Sequence, residues 1–183
     1  MNPFDLHVHA APSLFPRSMD AVTLAQRYLD AGAGGFLLKH HHGSSIEAAA
    51  ALQATVPSLD IFGGVVLNHF VGGVNPVAAD AAAALGARMV WLPTLHADAH
   101  AHACGALGGF EFQAPSTTLQ VERGIAIVTP DGQLTRAVRE VIDVLEGRGV
   151  ALATGHVGRE EVLALHRALR TERRDLTLVV SHV

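Results

Sequence analysis

Asp5-Leu6-His7-Val8-His9 is the stretch from which the rest of the chain can be read. With Phe4 and Ala10 on either side it predicts a short buried strand. Side chains alternate along a strand, so Asp5, His7 and His9 share one face while Leu6 and Val8 take the other. Two imidazoles two residues apart at the C-terminal end of a strand can reach one metal ion. Neutral imidazole is a good ligand for zinc and related transition metals. Two hydrogen-bonded, otherwise idle strand-end residues are the plainer reading, and the histidines further along the chain decide against it.

Downstream, strands and helices alternate. Ala11 to Arg17 holds Pro12 and Pro16 and is read as a loop. Ser18 is the expected cap of a helix over 19–32, stopped by Gly32, Gly34 and Gly35. Phe36 to His41 reads as a second strand, and Ser44-Ser45-Ile46-Glu47 has the capping-box form that opens a helix to about Val56. Ile61 to His69 reads as a third strand, with Gly63-Gly64 inside it where a neighbour excludes side-chain bulk. Asn75-Pro76 caps an Ala-rich helix to about Gly86, and Met89 to Thr94 is a fourth strand. Residues 96–130 break the rhythm and read as an irregular insertion or lid, with short strands around Phe110-Glu111-Phe112 and Ile125 to Val128. Thr135 caps a helix to about Gly147, Val150 to Thr154 is a fifth strand, residues 159–172 form a helix, and Leu176 to His182 is a sixth strand.

Near-continuous apolar strands alternating with helices imply a parallel sheet covered by helices in one α/β domain over residues 1–183. The polar residues at the successive strand ends are His9, Lys39, Asn68, Thr94, His156 and His182. Ligand-type residues recurring at strand C-termini are where a (β/α) barrel keeps its active site. An open, doubly wound sheet is the alternative. It lacks the G-x-G-x-x-G turn after the first strand that a dinucleotide fold would show.

Composition limits the rest. The chain has 183 residues, 49% hydrophobic and 16% charged, enough for one sizeable core. The net charge is −4 and no Lys/Arg run stands out, which argues against nucleic-acid and anionic-membrane partners. Cys104 is the single cysteine, so no internal disulfide can form, and it is read as structural in a reducing compartment. The start shows no signal-peptide pattern, and no apolar run approaches membrane-spanning length. A cytoplasmic protein is expected.

The constellation His7-x-His9, His156 and His182 resembles the amidohydrolase superfamily, metal-dependent hydrolases on a distorted (β/α)8 barrel. The phrases Asp-Leu-His-Val-His-Ala-Ala-Pro, Gly-Gly-Val-Asn-Pro and Val-Trp-Leu-Pro-Thr are most similar to an uncharacterised branch of it. The resemblance implies that His7, His9, His156 and His182 hold one or two divalent metals, most simply zinc. It implies a metal-activated water acting on a C–N, C–O or P–O bond of a small molecule. Lys39 and His41 are the catalytic candidates, and Asn68, Thr94 and His96 the substrate-binding ones. Asn75 is assigned to its helix, and His96, His100 and His102 otherwise read as loop residues.

Two departures from the family pattern stand out. The carboxylate usual at the end of an eighth strand is absent, because six strands are read where a closed barrel of roughly 250 residues has eight. The chain is then expected to be a piece of a longer protein, or to have its open edges covered by another chain, as in a homo-oligomer. The bridging residue usual on the fourth strand is also missing, and Lys39 on the second strand takes its place as candidate. An ammonium beside a metal is unfavourable, so Lys39 must lose its proton, become a carbamate by reaction with carbon dioxide, or point away. Metal-dependent decarboxylation and a non-catalytic protein that keeps the fold are the competing readings.

Overall fold

A computed structural model describes residues 2–110 and 121–181. It is an α/β structure of parallel strands and helices. The strands are β1 (Phe4–Val8), β2 (Gly35–Leu38), β3 (Asp60–Phe62), β4 (Gly64–Val66), β5 (Met89–Trp91), β6 (Ala151–Ala153) and β7 (Leu178–Val179). The helices are α1 (Ala21–Asp30), α2 (Ile46–Thr55), α3 (Pro76–Ala84), α4 (Asp98–Cys104), α5 (Arg136–Leu145) and α6 (Arg159–Thr171). One sheet runs β1-β2-β3 and the other β4-β5-β6-β7, with every pairing parallel.

Gly63 alone separates β3 from β4, so one extended stretch serves both sheets. A Cβ at Gly63 would lie 2.5 Å from the Ser45 carbonyl oxygen, and one at Gly64 would lie 2.0 Å from that of Met89. The start of α2 presses on one residue and β5 on the next, so the bulk excluded at both positions is backbone, as the Gly-Gly pair implied. Within each sheet, each strand pairs with its neighbour in sequence. The order reversal of a doubly wound sheet does not occur among the described strands, and these strands do not close into a barrel.

Strand alternation divides the core. Phe36, Leu38 and Ile61 pack outward against Leu24 and Ala25 of α1 and Ala49 and Leu52 of α2. Val65, Val90 and Leu152 meet Val138, Val141, Ile142 and Leu145 of α5 and Leu165 of α6. These α5 residues fall at i, i+3, i+4 and i+7, the spacing that puts one helix face on a sheet. The opposite face of the strands forms its own cluster of Leu37, Val66, Met89, Trp91 and Ala153. Each large apolar side chain buried this way contributes about 1.5–3 kcal/mol. By period two, Lys39 follows Leu37 on the inner face, and its Nζ lies 5.3 Å from the Trp91 ring centroid.

Several expectations are corrected. β1 is not a buried strand: it is an edge among the described residues, with Phe4 37% and Leu6 52% exposed. Asp20, not Ser18, caps α1, accepting from the Thr23 N–H at 2.8 Å. A carboxylate one residue before the first helical turn has the better reach to that amide. Ser44 and Glu47 bond side chain to side chain at 2.6 Å, and the reciprocal backbone bonds of a capping box are not made. Ser45 is used instead to tie strands together, donating to the Leu38 carbonyl at 2.6 Å and accepting from the Gly64 N–H at 3.0 Å.

The stretch 96–130 is not irregular throughout, because Asp98–Cys104 is helical. Its Ala-His alternation hides good helix formers, Asp98 suits the first turn, and Gly105 at φ +64° stops it. Ile125 to Val128 is no strand; it makes isolated bridges from Ile125 to Ala97 and from Val128 to Leu134. Residues 111 and 112 of the other expected short strand lie outside the described residues. Asn75 and Thr135 cap α3 and α5 as expected, accepting from the Val77 and Val138 amides at 3.0 and 3.4 Å. No helix among the described residues is long and apolar enough to cross a membrane.

Candidate functional site

β1 does not run in even register to its end. Phe4 and Asp5 pair with Gly35 and Phe36, but Val8 pairs with Leu38, so one extra residue is accommodated between Asp5 and Val8. The Asp5 carboxylate supports this irregular turn, accepting from the His7 N–H at 2.8 Å and from the Tyr28 hydroxyl at 2.6 Å. Burial and the Asp5 carboxylate together push the Tyr28 pKa up, so the phenol keeps its proton. The result brings His7 Nε2 and His9 Nε2 to 3.2 Å from each other.

His9 Nδ1 lies 2.7 Å from the Lys39 carbonyl oxygen. A carbonyl can only accept, so Nδ1 carries the proton and the neutral ring has its lone pair on Nε2. Burial, with the charges of Arg17 and Lys39, brings the His9 pKa down to about 3. Lys39 is fully buried, and its Nζ lies 3.3 Å from His7 Nε2. Burial and then Arg17 lower its pKa to about 7, so a large share of this amine is neutral at physiological pH.

His41 comes from the turn after β2. It is 4% exposed and stacks on His9 with ring centroids 4.6 Å apart. Its Nδ1 is 2.9 Å from Thr94 Oγ1. Burial first, and the charge of Lys39 second, hold its pKa far below the usual imidazole range.

Behind it, Asn68 is completely buried and fully bonded. It donates to the His41 carbonyl and to Thr94 Oγ1, both at 2.9 Å, and accepts from the Thr94 and His96 amides at 2.9 and 3.3 Å. Asn68 and Thr94, expected at the substrate, thus spend these polar atoms on the protein itself and fix the wall that carries His41. His96, also expected there, is 3% exposed and packs between His69 and Phe70, with centroids 5.1 and 4.7 Å away. Burial lowers its pKa to about 4.

His156 follows Gly155, whose φ is +62° and whose Cβ would lie 2.3 Å from the Leu92 carbonyl oxygen. Only glycine lets the chain turn this close to the end of β5. The His156 N–H then donates to the Pro93 carbonyl at 2.9 Å, and its ring comes to 6.2 Å from that of His41. His156 Nδ1 is 3.0 Å from His100 Nδ1, and His100 Nε2 is 2.7 Å from the Gly109 carbonyl oxygen. That carbonyl places the His100 proton on Nε2. In neutral rings His156 Nδ1 then donates to His100, and the unprotonated nitrogen of His156 is Nε2.

The sequence pattern of 96–130 places His100 in a loop, and the structure places it on α4. Read as a helix, Asp98–Cys104 puts His100 and Cys104 four residues apart on one face, which was the available signal.

These elements enclose a cavity of about 600 Å³ lined by His7, His9, His41, His100, His156, Arg17, Cys104 and Phe110. Four of the residues expected at the site thus meet there: His7, His9, His41 and His156. Lys39 joins them through His7. Asn68 and Thr94 stand behind His41, and His96 is not among the lining residues. His182 lies outside the described residues.

The donor set suits a transition metal. His7 and His9 direct two ring nitrogens to one place, and the Lys39 carbonyl fixes the His9 tautomer that leaves Nε2 able to ligate. Among the described residues, no group of three His, Cys, Asp or Glu side chains is arranged to hold a metal ion, so the described part supplies a pair and not a complete coordination sphere. Among the described residues, no Asp or Glu lines the cavity.

No curated protein matches the chain. Over residues 2–183, essentially its whole length, the chain belongs to the family of unknown function DUF6282.

Proposed function

We propose that this protein is a metal-dependent hydrolase of the amidohydrolase type, acting on a small molecule from a (β/α) barrel-like frame. The observation that carries the reading is the 3.2 Å approach of His7 Nε2 to His9 Nε2 at the end of β1. It gains weight from His156, which reaches the same cavity from the end of β6. A divalent ion, most simply zinc, would supply Lewis acidity and a water activated near neutral pH. The chain's own residues have separate tasks. His9 is held in one tautomer by the Lys39 carbonyl. Lys39, near neutrality and 3.3 Å from His7, can take up or release a proton without a carboxylate partner. Phe110 lines the cavity and packs on the buried Phe15, their rings 5.4 Å apart.

The test is metal content and turnover. The purified protein, reconstituted with zinc and dialysed, should retain about one equivalent per chain, and His7→Ala/His9→Ala should retain less than a tenth of that. The loaded protein should cleave a member of a panel of amides, lactones and phosphoesters, and the double variant should not. Equal metal retention by the two proteins would sink the assignment of the ligands. Retention without turnover on any class would favour a non-catalytic role.

A further inference from the structure

The cavity is unusual in its charge. Arg17 lines it from the loop before α1, and no Asp or Glu is among its described lining residues. Its Nε donates to Ser13 Oγ at 3.2 Å, and its guanidinium carbon lies 6.0 Å from the centroid of the Phe15 ring, a side chain only 2% exposed. Ser13 Oγ also accepts from the Phe15 N–H at 3.2 Å, so the loop orients the guanidinium from two sides. Among the described residues, no carboxylate comes within ion-pairing distance of Arg17, and its two terminal nitrogens make no hydrogen bond. Arg174, at the far side of the fold, shows the usual arrangement, with Asp143, Glu146 and Glu172 all within 3.0 Å.

A guanidinium that is partly withdrawn from water and left without a counter-charge carries an uncompensated desolvation cost. The planar fork of an arginine matches the two oxygens of a carboxylate or phosphate, and such pairs are among the strongest hydrogen bonds a protein makes. We infer that Arg17 is the anchor for an oxyanion, a carboxylate or phosphate group on a small-molecule ligand that occupies this cavity. Ser13 is its positioning residue. The anion binding itself stands apart from the proposed hydrolysis. Only the further step, that the anchored end sets the reacting bond against His7 and His9, rests on that reading.

The experiment uses chelator-treated, metal-free protein, so it does not depend on zinc. Inorganic phosphate and acetate are titrated separately by calorimetry at constant ionic strength held with chloride, with acetamide as the uncharged control. Wild-type protein should bind at least one anion in the millimolar range and not acetamide. Arg17→Gln should weaken that binding at least tenfold. Arg17→Lys, which keeps the charge and loses the fork, should fall between, and Ser13→Ala should weaken it a few-fold. Preference for phosphate or for acetate identifies the group on the ligand. Wild-type protein that binds neither anion would overturn the inference, as would Arg17→Gln binding like wild type. Should Arg17→Gln fail to fold, wild-type affinity in both Arg17→Lys and Ser13→Ala would overturn it equally. Zinc binding without anion binding would defeat only this inference, and the converse would defeat only the proposed hydrolase.

Discussion

Two histidine pairs face each other across the cavity, and they are built differently. His7 and His9 stand two residues apart on one strand, their Nε2 atoms 3.2 Å apart. His100 and His156 are 56 residues apart, one on a helix of the insertion and one in the turn after β6, yet their Nδ1 atoms are 3.0 Å apart. The first pair is set by the local geometry of one strand, so it is fixed as soon as β1 pairs with β2. The second exists only when the insertion docks on the rest of the fold, where the Ile127 N–H donates to Glu161 Oε1 of α6 at 2.7 Å and His69 Nε2 lies 3.0 Å from the Arg123 carbonyl oxygen. One pair therefore depends on the parallel frame, and the other on a contact that loss of docking would release.

The largest effect on the frame side should come from acid. His9 and His96 titrate near 3 and 4 in the folded protein, and burial holds His41 far below the ordinary histidine range. In the unfolded chain all three return to about 6.5. Above that pH neither state carries their protons, and they cost nothing. As pH falls below 6.5 the unfolded chain takes up protons that the folded one refuses, so stability drops. Each histidine contributes about 1.4 kcal/mol per pH unit, giving roughly 3–4 kcal/mol per unit near pH 5 for the three. Urea unfolding of the metal-free protein between pH 7.5 and 4.5 measures this slope. His9→Ala should lower it by about one histidine's share. A flat profile across that range would mean the cavity admits water and charge freely.

Asn68 links the two halves, and its removal should cost the next largest amount. It holds the His41 carbonyl on the frame side and the Thr94 and His96 amides where the insertion begins. Asn68→Ala leaves these buried groups without their partner. At about 1–2 kcal/mol for each orphaned group, a loss of roughly 3 kcal/mol is expected. Asn68→Asp, which keeps the acceptor for the two amides but not the donor, should fall between. A loss under about 1 kcal/mol by urea denaturation would show that water replaces the side chain.

What could be read in advance follows the same division. The order of strands and helices was legible because apolar runs, caps and glycines report on local geometry. Asn75, Thr135 and the Gly63-Gly64 pair each did what their chemistry implied. His7, His9, His41 and His156 reach one cavity because strand ends in a parallel sheet point the same way. The irregular register of β1 was not legible, since it arises from the competition of Asp5 for the His7 amide. Nor was the role of Asn68, because a polar residue at a strand end looks the same whether it faces a ligand or a neighbouring loop. Helix α4 was hidden by alternation, and with it the approach of His100 to His156. Arg17 was missed because a lone arginine in a proline-bounded loop carries no pattern. Only the folded cavity shows that no carboxylate among the described residues pairs with it.

The smallest expected effect tests how far the second pair matters to the first. His100→Phe keeps a ring beside Phe110, whose centroid lies 5.5 Å away, but removes the bonds to the Gly109 carbonyl and to His156 Nδ1. The cost in stability should be about 1 kcal/mol, because the ring's packing is retained and one carbonyl and one ring N–H lose a partner. The consequence for the proposed metal site is more telling. His156 can offer Nε2 to a metal only while its proton stays on Nδ1, and His100 is the acceptor that keeps it there. Loss of such an outer partner commonly weakens metal binding by about 10–100-fold, and the lower end is expected here, since His7 and His9 are untouched. The change should appear in the zinc dissociation constant, by competition with a chelator, and leave the anion affinity at Arg17 within a factor of two. An unchanged zinc constant, beside an intact fold, would make His100 and His156 part of the cavity wall and confine the metal to the frame.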